Sequence, residues 1–192
     1  PLMFRRDTLL GVPGLYGAYR MGQVAVVNAI GNGVADDKAI YSYVPNMIKY
    51  YLNEDPILKN VPTYPMEVAE YREMVFKNMA NMVIKKTNES GGYGMLIGNS
   101  ATEEQMQDFK NAIIADPRSF IAQPIINLSS VPCYINGTLQ ARRVDLRPYA
   151  LYGPQGIDIV PGGLTRVALR EGSLVVNSSQ GGGSKDTWVI NE

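Results

Sequence analysis

The sequence contains no histidine, and this absence narrows the chemistry that its 192 residues can perform. Without histidine, the chain cannot build a Ser-His-Asp triad, a histidine general base or a zinc site that needs imidazole ligands. Acid–base chemistry must then rest on carboxylates, lysine, tyrosine or the substrate itself. The reaction type that this composition favours is catalysis by placement of charge, as in phosphoryl transfer.

Cysteine, net charge and long apolar runs are also scarce. The single cysteine, Cys133, excludes an intrachain disulfide and is expected to be an inert, partly buried thiol in a reducing compartment. Eighteen basic residues balance eighteen acidic ones, so no overall field favours nucleic acid as a partner. No apolar run approaches the ~20 residues of a membrane span, and the first residues do not resemble a signal peptide. We therefore expect a cytoplasmic protein that binds neither nucleic acid nor membrane.

The most distinctive segment is a predicted strand–loop–strand unit at Met82–Gly98. Its first apolar run ends at Lys85, and the loop that follows is rich in glycine. A lysine at a strand end beside bare backbone N–H groups suits a polyphosphate ligand. The alternative is a tight β-hairpin whose glycines merely permit positive φ angles. The candidate binding residues of this loop are Ser90, Gly91, Gly92 and Gly94.

Two groups of residues in the final third could also bind phosphate. Strand alternation places Arg143, Asp145 and Arg147 on one face, and Arg166 could join them from a neighbouring strand. They form either a surface ion-pair ladder or a clamp of guanidinium groups on phosphate oxygens. A later glycine run either wraps a ligand or is a loose loop. Its candidate residues are Gly181, Gly182, Gly183 and Lys185.

Near the start of the chain, Asn28 and Asp36 carry amide and carboxylate oxygens, which are hard ligands suited to magnesium. The simpler interpretation is a turn asparagine followed by an acidic helix cap at Asp36 and Asp37. Lys38 is open to the same two interpretations, as a solvated helix residue or as a phosphate contact.

Hydrophobic periodicity predicts the main elements. Helices are expected near residues 15–21, from 38 onwards with a kink at Pro45, and over 66–79 and 102–115. Strands are expected over 23–29 and 120–126, and an antiparallel sheet over 143–176. We expect nearly all tyrosines and methionines to lie in the core and Trp188 to pack beneath the last loop.

Taken together, these segments resemble the circularly permuted ATP-grasp family. VIK, SGGYG, FIAQP and DLR are similar to that superfamily's nucleotide-binding lysine, glycine lid, adenine hinge and D-x-R strand. VVNAIG resembles its E-x-N metal motif, with valine at position 26 in place of the glutamate. This motif comes first here and not last, which is the permuted order. Longer runs, such as GVPGLYGAYR and VPGGLTRVALREGSLVVNSSQGGGSKDTW, extend the resemblance over essentially the whole chain.

The resemblance implies an α+β, ATP-grasp-like fold of two α+β lobes with mainly antiparallel sheets, circularly permuted. Residues 1–60 would form the N-terminal part of the core, 61–130 a small nucleotide-binding lid lobe, and 131–192 an antiparallel sheet that completes the core. The chain would be the C-terminal portion of a longer protein and would work with the missing N-terminal portion.

The resemblance also implies an ATP- and magnesium-dependent carboxylate–amine ligase, which forms an amide or peptide bond through an acyl phosphate. Its partners would be a small-molecule or peptide carboxylate and an amine. A nucleotide-binding module without turnover and a purely structural domain are the alternatives. The resemblance implies nucleotide contacts at Lys38, Lys85 and Gln123, among others, and phosphate contacts at Arg143, Asp145, Arg147 and Arg166. It implies that the acceptor or phosphate side is lined by Gly181–Gly183 with Lys185. The implied metal ligands are Asn28 and Asp36.

Overall fold

The computed structural model describes residues 12–27, 32–89, 94–176 and 181–190, which contain α-helices and two antiparallel sheets. The helices are α1 (Leu15–Arg20), α2 (Val44–Leu52), α3 (Ala69–Lys77) and α4 (Glu103–Ala115). The strands are β1 (Tyr64–Pro65), β2 (Met82–Lys86), β3 (Met95–Ile97), β4 (Phe120–Pro124), β5 (Ser130–Ile135), β6 (Thr138–Gly153), β7 (Gly156–Val167) and β8 (Gly183–Trp188). The predicted α+β class with antiparallel sheets is confirmed.

The first sheet has the strand order β1-β4-β2-β3 and one apolar face. Alternation along β2 and β4 directs Met82, Ile84, Phe120 and Ala122 to this face, where α3 and α4 pack against them. We call it the core face. The opposite face, which we call the site face, carries Val83, Lys85, Ile121 and Gln123. The predicted strand–loop–strand unit is confirmed, because β2 and β3 pair antiparallel.

Local sequence signals explain where two helices begin. Thr102 closes a capping box with Gln105, and α4 follows as predicted. The helix expected from residue 38 instead begins at Val44, after a 3₁₀ helix over Ile40–Tyr43. Pro45 therefore lies in the first turn and does not kink the helix, because that turn requires no backbone N–H from it.

The second sheet has the order β5-β6-β7-β8 and is curled, so that its two edge strands approach each other. Its long strand β6 pairs with β5 through Thr138–Arg143 and with β7 from Val144 onwards. Although β5 and β8 are the two edges, Lys185 Nζ on β8 lies 2.7 Å from the carbonyl oxygen of Pro132 on β5. The curled face encloses a small apolar cluster that includes Cys133, which is buried as expected.

Several predicted elements are shorter than expected or absent. Residues 23–27 contain no strand, and residues 28–31 lie outside the described part of the chain. The helix expected over 66–79 is confined to α3, because the backbone N–H of Met66 bonds to Phe120 and joins Met66 to β4. Residues 173–176 form no strand, since the Ser173 hydroxyl accepts the N–H of Val175 in a local turn.

The expectation that nearly all tyrosines lie in the core is wrong, and Trp188 is not buried beneath a loop. Trp188 is 82% exposed, Tyr152 is 87% exposed, and Tyr50 is 81% exposed. Periodicity assigns such residues to one face of an element, but it does not show whether another element covers that face. In the described residues, the faces of β6, β8 and α2 that carry these side chains are left open at these positions.

Candidate functional site

Two lysines from distant parts of the sequence meet beside the end of β2. Lys85 projects from the site face and is half-buried, and Lys38 arrives from the segment that precedes α2. Burial and, to a smaller extent, the positive charge of Lys38 lower the pKa of Lys85. The fold therefore holds two like charges close together, an arrangement that a polyanion would stabilise.

A chain of hydrogen bonds crosses the site face and fixes Lys85. Its ammonium group donates to Gln123 Oε1 over 2.8 Å, and Gln123 Nε2 donates to Thr63 Oγ1 over 2.8 Å. Thr63 in turn donates to the carbonyl of Val61 over 2.9 Å. Each partner of Lys85 in this chain is neutral, so its positive charge is solvated but not cancelled. Thr63 was missed at the sequence level, since it lies in a proline-rich connector without a motif.

Lys38 is held against the first stem of the glycine loop. Its backbone N–H bonds to the carbonyl of Thr87 over 3.1 Å, and its ammonium group donates to the carbonyls of Thr87 and Glu89. Glu89 also forms an ion pair with Lys86, with 2.9 Å between Nζ and Oε1. On the other side of the loop, Gly94 has φ of +62°, and a Cβ there would meet the Glu89 carboxylate. Ser90, Gly91 and Gly92 lie outside the described residues.

An ion pair between distant segments positions Lys38. Asp37 accepts a hydrogen bond from Arg118, 2.6 Å away, and another from the N–H of Ala39 over 2.9 Å. The Arg118 guanidinium holds the pKa of Asp37 below its usual range, against a smaller opposing effect of burial. The predicted acidic helix cap is wrong, because neither the 3₁₀ helix over Ile40–Tyr43 nor α2 has a side-chain cap. Asp37 instead attaches this segment to the turn before β4.

The predicted arginine cluster lies on one face of the second sheet, which we call the arginine face. Strand pairing sets Arg166 directly opposite Asp145, and Asp145 forms an ion pair with Arg147, 3.1 Å away. Arg143 points to the same face and donates to the carbonyl of Leu128. Asp186 lies at the end of the same face, in the row of Arg147 and Leu164, so three guanidinium groups accompany two carboxylates. A group of guanidinium side chains on one face fits an anionic ligand.

The remaining predicted residues are less concentrated. Lys185 pairs with Thr165, so its side chain lies on the curled face and not on the arginine face. Gly181 has φ of +79°, and Gly183 begins β8 with the Leu169 side chain 3.2 Å from where its Cβ would be. The glycine run therefore leads into an edge strand beside the arginine face.

The metal ligands expected from sequence do not form a cluster in the described part of the chain. Asp36 is exposed at the end of a 3₁₀ helix, and Asn28 lies outside the described residues. No group of three acidic, cysteine or histidine residues converges among the described side chains. These residues do not build a magnesium site by themselves.

Two antiparallel sheets, one with a lysine pair beside a glycine loop and one with an arginine face, define an α+β protein of the ATP-grasp class. The family model for circularly permuted ATP-grasp type 2 matches residues 1–168. The chain belongs to this family. None of the described helices is long and apolar enough to cross a membrane.

Similar proteins are longer than this chain. An uncharacterized protein of Synechocystis sp. is 58% identical over 190 residues, which cover 99% of this chain and 40% of the relative. An uncharacterized protein of Mycobacterium tuberculosis is 53% identical over 190 residues, or 99% of this chain and 34% of the relative. A protein of Frankia alni, named as a candidate glutamate–cysteine ligase, is 46% identical over 177 residues, or 92% of this chain and 20% of the relative. The chain thus spans well under half the length of these curated relatives.

Proposed function

We propose that the chain is the nucleotide-binding part of an ATP- and magnesium-dependent carboxylate–amine ligase. In such a reaction a substrate carboxylate attacks the γ-phosphorus of ATP and ADP leaves. An amine then attacks the acyl carbon and displaces phosphate. The name of the Frankia relative supports this class, because a glutamate–cysteine ligase joins a carboxylate to an amine.

The observation that carries the proposal is the half-buried pair of Lys38 and Lys85 beside Gln123. Bringing two ammonium groups together costs free energy, and a phosphate group between them would convert repulsion into charge-assisted hydrogen bonds. Gln123 has an amide that can bond to a nucleobase edge as well as to Lys85. We propose that Lys38, Lys85 and Gln123 bind the nucleotide. We propose phosphate binding for the loop residues Ser90–Gly94 and for the later glycine run, Gly181–Gly183 with Lys185.

On the second sheet, we propose that Arg143, Arg147 and Arg166 stabilise the charge that develops on the transferred phosphoryl group, with Asp145 orienting Arg147. Asn28 and Asp36 are proposed as metal ligands on the resemblance of their motif. Since the described residues do not form a metal site, no step of the proposal depends on the metal. We also propose the division of the chain into 1–60, 61–130 and 131–192, with one sheet in each of the latter two.

The test is titration calorimetry of ATP with magnesium. Lys85→Ala should weaken binding about tenfold or more, because it removes a half-buried charge–phosphate interaction worth about 1.5–3 kcal/mol. Lys77→Ala is the matched control, since Lys77 is an exposed lysine at the end of α3, away from the site face. Equal affinity of the wild type and Lys85→Ala would refute the nucleotide assignment.

Binding and turnover are separated by a second measurement. ADP release that depends on an added carboxylate and amine is expected of a ligase, whereas ATP binding without such release would favour a nucleotide-binding module. The short length of the chain relative to its relatives makes this second outcome a genuine alternative for these 192 residues.

A further inference from the structure

An open groove of about 270 Å³ lies where the arginine face ends. The register shows that the two regions are continuous, because Arg147, Leu164 and Asp186 form one row across β6, β7 and β8. The next row along the same face pairs Gly162 with Trp188. A ligand in the groove would therefore lie beside whatever the arginines bind.

The backbone makes this groove. The pairing of β6 with β7 shifts between Pro148 and Ala150, so that β7 bulges at this point. Just beyond the bulge, a Cβ on Gly162 would lie 2.6 Å from the carbonyl oxygen of Thr187, and one on Gly163 would lie 2.7 Å from that of Arg147. The two glycines are thus required by close strand approach and leave part of the groove lined by bare backbone.

The side chains that line the groove suit an organic cation. Trp188 is 82% exposed and Tyr149 is 49% exposed, so two aromatic rings are available to a ligand. Asp186 contributes an exposed carboxylate, and among the described residues it has no cationic partner within 4.0 Å. A carboxylate next to aromatic rings is the usual environment for an ammonium group, which gains both Coulomb attraction and cation–π contact.

We infer that this groove binds the amine substrate, as a protonated aliphatic amine that gives one proton to solvent before its nitrogen attacks, beside the phosphate-binding arginines. The inference rests on the proposed function, because it names the substrate class of the same ligase. Charge complementarity assigns the two ligands to their places: the arginine face attracts a phosphoryl group and repels an ammonium group, and Asp186 does the reverse. The two substrates would then lie next to each other on one continuous face of the sheet.

The protein carries its own reporter for this site, because Trp188 is the only tryptophan in the chain. We expect tryptophan fluorescence to change in a saturable way on titration with n-butylamine at neutral pH. The response to n-butanol and to butyrate, which have similar apolar parts without a positive charge, should need at least about tenfold higher concentrations. Asp186→Asn should raise the Kd for butylamine about tenfold, since it keeps the shape and removes the charge.

Asp158→Asn is the matched control, because Asp158 is an exposed carboxylate on β7 that does not line the groove. Its butylamine affinity should equal that of the wild type, and equal melting temperatures should verify that all variants fold. The inference is overturned by a missing saturable response, by an equal response to butanol, or by unchanged affinity in Asp186→Asn. A fluorescence change with protein concentration alone, without an amine response, would also overturn it, since a second copy would then cover the groove.

The calorimetric ATP titration is run on the same preparation, so the two hypotheses fail separately. ATP binding that depends on Lys85 without an amine response rejects only the groove. An amine response that depends on Asp186 without ATP binding rejects the nucleotide assignment on which the ligase interpretation rests.

Discussion

Lys85 is a cation in a half-buried position whose described hydrogen-bond partner is an amide oxygen. Gln123 in turn is held by Thr63, so neither side chain can move away without leaving a polar group unsatisfied. Lys38 adds repulsion from a second direction. Such a position costs stability in the folded protein, and a charged ligand would recover that cost.

The lowered pKa of Lys85 can be measured directly. With lysines labelled by ¹³C methylation, the NMR signal of Lys85 should titrate below the ordinary lysine pKa of about 10.4. Because the pKa of Lys85 is lower in the folded protein, the unfolded chain binds more protons between that pKa and the ordinary lysine value of about 10.4. The contribution of Lys85 to the free energy of unfolding therefore rises with pH over this interval. Lys38→Met should raise the pKa of Lys85 by removing the repulsion. If Lys85 titrates at the ordinary lysine pKa, burial does not act on it as described.

The sequence predicted which candidate site residues lie together only where those residues belong to one continuous segment. Lys85 and the loop after it are contiguous, and Arg143, Asp145 and Arg147 share a face by strand alternation alone. The approach of Lys38 to the loop stem and the bond from Gln123 to Thr63 depend on contacts across 49 and 60 residues. No local pattern encodes such contacts, and the roles of all these residues stay predictions.

Among the secondary-structure elements, α4 is the one whose local signals and tertiary contacts agree most fully. Its capping box satisfies two backbone groups at the first turn, and its apolar side of Met106, Phe109 and Ile113 packs on the core face. By contrast, β1 has only two residues and β5 contains a proline, so neither stands out from periodicity. Strands β1 and β5 form because a neighbouring strand pairs with them, and such strands could not be predicted from the sequence.

The capping box gives a prediction for this helix. Thr102→Ala removes the oxygen that accepts the N–H of Gln105, 3.2 Å away, and should lower the free energy of unfolding by about 0.5–2 kcal/mol. Thr102→Ser retains the hydroxyl acceptor and should lower the free energy of unfolding by much less than Thr102→Ala does. Urea denaturation of the three proteins measures the difference, and equal stability of the alanine variant and the wild type would contradict the cap.

At the scale of the whole molecule, one cluster of exposed apolar side chains lies on the ribbon formed by the end of β6 and the start of β7. Tyr152 pairs with Ile157 across this ribbon, and Ile159 lies two residues further along the same face. They are 87%, 66% and 69% exposed. A cluster of this kind on a chain that spans 34–40% of its relatives' length is typical of a surface that meets other polypeptide.

We therefore expect the 192-residue chain to self-associate through this ribbon. Ile157→Lys should shift the sedimentation-velocity distribution at high protein concentration towards the monomer, because it places a charge in the apolar pair with Tyr152. Leu58→Lys is the control, since Leu58 is 81% exposed but lies in the connector between α2 and β1. Association that responds equally to both substitutions would show that the ribbon is not the specific contact.

The outer strands of the first sheet have a consequence for how further polypeptide can join the protein. In the described residues, β1 is two residues long and ends with Pro65, and β3 is three residues long. Edge strands this short offer few free N–H and C=O groups, so a strand from another polypeptide could form only a few hydrogen bonds with them. The first sheet is thus protected against growth by strand addition, and its contacts with additional chain must be made by side chains.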